Sequence, residues 1–84
     1  MELNSANRIA IQLTNKIMPA CLVIKTAGDL RAEKPKIKKI EMEITPSNRK
    51  LLDALLLECS TPISTSNKKL VRLYQNVQVV LYLV

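Results

Sequence analysis

The residues with the most chemical potential lie between Gly28 and Ile44. Glu41 and Glu43 stand two apart in Ile37-Lys-Lys-Ile-Glu-Met-Glu-Ile44. On a strand this spacing puts both carboxylates, and Lys39, on one face. Two carboxylates side by side can hold one hard cation such as magnesium. With Lys39 beside them they also make an ion-paired, solvated face, and this is the reading we favour because a two-metal centre needs a third carboxylate. Upstream lies Gly28, the only glycine, followed by Asp29 and Arg31. A second kind of chemistry is cationic. Arg31, Lys34, Lys36, Lys38 and Lys39 cluster in one stretch, and Lys68, Lys69 and Arg72 form another group. Such groups can contact backbone phosphates of a nucleic acid in a salt-dependent way. Without interleaved aromatics they offer little for base stacking. Cys21 and Cys59 lack CxxC spacing, and the chain has no histidine. Cys/His zinc patterns and imidazole-assisted nucleophiles are therefore excluded, and both cysteines read as buried free thiols.

The framework for these residues is small. Eighty-four residues make one domain, near the low end of what folds without staples. Apolar residues are 48% of the chain, yet Phe and Trp are absent and Tyr74 and Tyr82 are the only aromatics, so the core must be aliphatic. The net charge of +6 leans towards anionic partners. The N-terminus lacks the charged-then-apolar build of a signal peptide, and no apolar run approaches the roughly 18 residues of a membrane span. The expectation is a soluble, cytoplasmic protein with no membrane partner.

Ala6, Ile9, Ala10, Leu13 and Ile17 recur at helical spacing. They predict a helix over about 5–18, with Ser5 as N-cap, Ile11 and Met18 widening its apolar stripe, and Pro19 as its stop. Cys21–Thr26 is almost wholly apolar and predicts a buried strand. Residues 29–34 suit one helical turn closed by Pro35. Ile40, Met42 and Ile44 then face the core from a second strand. Thr45-Pro46 reads as an N-cap and first helical residue, with Leu51, Leu52, Ala54, Leu55 and Leu56 as the stripe of a helix to about Cys59. Ser60 to Asn67 reads as a loop. Lys69–Val84 alternates on either side of Gln75-Asn76, which predicts a hairpin. The fold class is α/β (α+β): a small mixed sheet carrying two main helices, in the order α-β-turn-β-α-β-β.

This order and several of its motifs resemble the nucleotidyltransferase palm core of the family X DNA polymerases, the DNA polymerase beta-like group. In that family a helix leads to a strand ending in Ala-Gly-Ser-Leu-Arg-Arg. A Lys-Pro turn, a strand with Asp-Ile-Glu-Ile and a later strand like Val-Asp-Leu-Tyr-Leu-Val follow. The corresponding residues here are Ala27-Gly28-Asp29-Leu30-Arg31-Ala32, Lys34-Pro35, Lys39-Ile40-Glu41-Met42 and Val79-Val80-Leu81-Tyr82-Leu83-Val84. The resemblance spans essentially the whole chain, and implies a single nucleotidyltransferase-like domain over 1–84, truncated relative to the family. It also implies a degenerate site. The three family carboxylates that hold two divalent metals correspond to Lys39, Glu41 and Val80. The phosphate-holding serine corresponds to Asp29 and the second arginine to Ala32. Gly28, Arg31 and Glu41 keep the family residue. A unit charge pair at 4 Å is worth about 4 kcal/mol at an effective dielectric near 20. A lysine in a ligand position therefore repels a divalent ion by about twice that, and Val80 supplies no oxygen.

The resulting expectation is a pseudoenzyme without cofactor or catalytic residues. It would act by binding a macromolecule, as a phage- or mobile-element-encoded inhibitor or regulator of a host protein would. Nucleic-acid binding through the basic residues around 31–39 and 68–72 is the alternative. Residual nucleotide binding or nucleotidyl transfer ranks last. The apolar C-terminal strand is also expected to leave an unpaired edge, which would let Val79, Leu81 and Leu83 serve homodimerisation or capture of a partner strand.

Overall fold

The apolar stripe of the first segment closes a helix, α1 (Leu3–Ile17), that buries Ala6, Ala10, Leu13 and Ile17. In the computed structural model, which describes residues 1–84, α1 runs into a 3-10 turn at Met18–Ala20. Then come β1 (Cys21–Ala27), a single turn α2 (Gly28–Arg31), β2 (Ile40–Pro46), α3 (Arg49–Cys59), β3 (Thr61–Thr65), β4 (Lys69–Tyr74) and β5 (Val77–Leu83). The five strands form one mixed sheet in the order β1-β2-β5-β4-β3. β2 and β5 are parallel and every other neighbour is antiparallel.

One sheet face carries the core. Ile40, Met42 and Ile44 of β2, Val79 and Leu81 of β5, and Leu70 and Tyr74 of β4 are buried with the α1 stripe and with Leu52 and Leu56 of α3. Apart from Tyr74 this core is aliphatic, as the composition requires. The opposite face holds the alternate residues of the same strands. Val71 and Val80 are buried there but stand outside the main core cluster. No helix is long and apolar enough to cross a membrane.

Several expectations give way to the geometry. Helix α1 starts at Leu3 rather than after Ser5, and its cap residue Glu2 makes no side-chain cap. Met1 and Glu2 are instead held as a bridge: the Met1 amine donates to the Ile37 carbonyl and the Ile37 N–H to the Met1 carbonyl, each at 2.8 Å. This pairing fixes the chain early enough to bring the helix start forward. Ile11 and Met18 are exposed and do not widen the buried stripe. Thr45-Pro46 extends β2, and the cap of α3 is Asn48, whose Oδ1 accepts from Leu51 N–H at 3.0 Å. Residues 61–65 form a strand rather than a loop, because β4 supplies backbone partners that turn-forming composition does not rule out. β1 is an edge strand, largely exposed, so it is apolar without being buried. Cys21 and Cys59 are free and half-buried rather than fully buried. The largest correction concerns β5. It lies in the middle of the sheet between β2 and β4, so Val79, Leu81 and Leu83 offer no edge for homodimerisation through the C-terminal strand.

Candidate functional site

Strand β1 ends at Ala27 and the chain turns at Gly28, which has φ of 59°. That left-handed conformation suits glycine, and the space above Gly28 is already taken. An added Cβ would lie 1.7 Å from Glu41 Oε2 and 2.7 Å from Glu41 Cδ. Glu41 sits on β2, where its register partners are Ala27 on β1 and Val80 on β5. The sole glycine is therefore the seat of the Glu41 carboxylate. The segment between the two, with Lys34-Pro35 and Ile37, is fixed by the bridge to the N-terminus.

Glu41 is 15% exposed and well engaged. The Tyr82 hydroxyl donates to its Oε1 at 2.7 Å. Lys39 Nζ stands 4.0 Å from the same oxygen on a half-exposed side chain, a contact that contributes little by itself. The Tyr82 bond had no counterpart in the sequence reading. Strand alternation does place Tyr82 and Glu41 on the same face once β2 and β5 are known to be neighbours, but the pairing is non-local. The hydrogen bond to Glu41 holds the Tyr82 phenol above its usual range, with burial and the carboxylate's charge acting in the same direction.

The sign of the resulting pH effect follows from the protonated phenol being the favoured form. The stabilisation is complete below the unfolded tyrosine value, about 10, and is lost as pH rises through the higher folded value. In an alkaline titration followed by phenolate absorbance, Glu41→Gln should bring the late tyrosine transition down. An unchanged transition would exclude this bond as its cause.

The remaining positions separate into groups. Glu43 pairs in register with Lys25 on β1 and Tyr82 on β5, and Tyr82 with Lys69 on β4. A row Lys25-Glu43-Tyr82-Lys69 thus crosses the open sheet face, beside a second row Ala27-Glu41-Val80-Val71. Glu41 and Glu43 do share this face, but Glu41 Oε1 already serves Tyr82 and faces Lys39. Val80 is buried next to Glu41. Asp29 pairs with Lys34 at 3.3 Å on the surface. Arg31, Lys36, Lys38 and Lys68 are exposed.

Arg72 does not belong with the free cations. Its Nε donates to Ser60 Oγ at 2.9 Å, and its Nη2 to the Leu56 carbonyl at 3.0 Å and the Ser60 carbonyl at 3.1 Å. A helix ends with unsatisfied carbonyls and a negative dipole end, and a guanidinium there meets both needs. Arg72 thus ties β4 to the C-terminus of α3. Helical residues followed by a serine and a later arginine gave no sequence signal for this, because the contact depends on where β4 lies.

Neither a protein-family model nor a curated protein sequence matches the chain.

Proposed function

We propose that the chain is a non-catalytic domain of nucleotidyltransferase-like descent that acts by binding a protein partner, as an inhibitor or regulator does, through the open face of its sheet. The observation that carries this reading is the state of Glu41. The one carboxylate kept from the resemblance is hydrogen-bonded to Tyr82 at 2.7 Å and seated against Gly28, with Lys39 in the first ligand position and buried Val80 in the third. A carboxylate so engaged would have to give up Tyr82 to bind a cation, and would then find a lysine beside it. What the face does present is a mixed row of Lys25, Glu43, Tyr82 and Lys69 around apolar Val71 and Leu73, a composition suited to a protein surface.

The test is incubation with labelled nucleoside triphosphates and magnesium or manganese, in parallel with photo-crosslinking from a reactive residue at Lys69 in the native cell. The reading expects no incorporation above background and one dominant crosslinked protein. Nucleotide incorporation that Glu41→Gln abolishes would overturn it.

A second reading has its own observation. Arg31 at the end of α2 and Lys36, Lys38 and Lys39 on the connector to β2 are exposed, in a chain of net charge +6. Phosphate binding there would appear in fluorescence anisotropy with single- and double-stranded DNA as an affinity that falls steeply with salt. Affinity unchanged between low and moderate salt would exclude it.

A further inference from the structure

The sheet has two edges, and they differ. β3 carries Pro62, which lacks a backbone N–H, is five residues long, and has an irregular register between Pro62 and Ser64. These features block strand addition. β1 carries none of them over Val23–Ala27, where its register against β2 is regular. It contains no proline and no acidic residue, and Lys25 is its only charge. Its irregularity lies at one end, between Cys21 and Val23, and leaves Leu22 exposed at 72%. Val23 is 44% exposed and Met18 52%. An apolar rim therefore lies along a strand whose outer backbone groups have no protein partner.

We propose that β1 pairs antiparallel with β1 of a second copy of this chain, joining two five-stranded sheets into one. The occupant follows from self-complementarity. In an antiparallel pair, opposed residues must point to the same face, so the two-fold axis must pass through a residue. Centring on Lys25 would set Lys25 against Lys25 of the other copy, a destabilising arrangement. Centring on Ile24 sets Lys25 against Val23 of the other copy and Leu22 against Thr26. In that register each Lys25 keeps Glu43 as its neighbour on β2. A carboxylate thus stands beside each lysine in its own chain, and the lysine stem covers the exposed valine of the other. Charge therefore disfavours the Lys25-centred register. Centring on Val23 would place the irregular Cys21–Val23 end in the middle of the ladder. The Ile24-centred register covers Val23 and Leu22.

This pairing goes beyond the binding proposed for the open face, since the edge lies at the side of that face. The test is sedimentation velocity of the full chain over a wide concentration range. A monomer–dimer equilibrium is expected. Val23→Glu places a carboxylate opposite Lys25 twice per dimer and should lower the dissociation constant about fivefold, whereas Val23→Lys should raise it about fivefold. Ile63→Glu, on the blocked β3 edge, makes the same change in net charge as Val23→Glu and should leave the equilibrium unmoved. All three substitutions are at exposed positions, and circular dichroism checks that each folds. A chain that stays monomeric at every concentration overturns the proposal, including the case in which β1 pairs only with a foreign strand. So does a shift in the same direction for both Val23 variants. A monomeric result leaves the open-face reading intact, and nucleotide transfer would leave this pairing intact.

Discussion

Gly28→Ala is expected to destabilise the protein by about 2.5–5 kcal/mol, although it adds a single methyl group. Two costs combine. A left-handed backbone conformation costs a residue with a Cβ about 1–2 kcal/mol. The φ of 59° makes that cost unavoidable without rebuilding the turn. The new Cβ would also lie 1.7 Å from Glu41 Oε2, so the carboxylate must leave. Its departure breaks the Tyr82 hydrogen bond, and hydrogen bonds to charged groups are worth about 1.5–3 kcal/mol. Urea unfolding of four proteins separates the terms: wild type, Gly28→Ala, Glu41→Ala and the double variant. In the Glu41→Ala background the glycine substitution should cost only its backbone share. Equal costs in both backgrounds would exclude the steric coupling between residues 28 and 41.

Leu81→Ala is expected to cost about 2–5 kcal/mol, the range for emptying a well-packed leucine site. For a domain of this size such a loss approaches the whole of the stability. Leu81 has no exposed surface and sits on the central strand β5, between Met42 of β2 and Leu70 of β4. An equally conservative change at Leu57, 72% exposed on α3, should stay within about 0.5 kcal/mol. Had the C-terminal strand been a free edge, Leu81 substitutions would alter association and leave stability almost untouched. Thermal melts of the two variants decide between these pictures, and a mild effect at Leu81 would contradict the central placement of β5.

The contrast shows what could be read from residues alone. Local periodicity identified α1 through Ala6, Ala10, Leu13 and Ile17, the core side of β2 through Ile40, Met42 and Ile44, and the β4–β5 hairpin around Gln75-Asn76. Both turn residues indeed have positive φ, the geometry of the favoured two-residue hairpin connections. Strand order was not legible, because no local pattern states that β2 and β5 lie side by side. Everything that depended on this pairing was missed: the Tyr82–Glu41 bond, the central position of Leu81, and the free edge at β1 instead of at the tail. Arg72 shows the same limit. Its charge suggested a surface contact, but the carbonyls it serves come from Leu56 and Ser60 on another element. Residues 61–65 show the converse. Their Ser, Thr and Pro content described a loop, and tertiary pairing with β4 made a strand of them.

The parallel pairing of β2 with β5 also bears on how the chain is made. Ile40 and Val79 meet across an intervening helix and two strands. A ribosome delivers β5 last among the five strands. Until then the nascent chain has a β1–β2 pair whose inner edge, the backbone of residues 40–44, has no partner strand. Long-range pairings of this kind close slowly, and unpaired apolar strands attract other chains meanwhile. The interval between synthesis of β2 and arrival of β5 is therefore the period when this protein most needs a chaperone, and when a β5 supplied by a neighbouring polypeptide could take the vacant place.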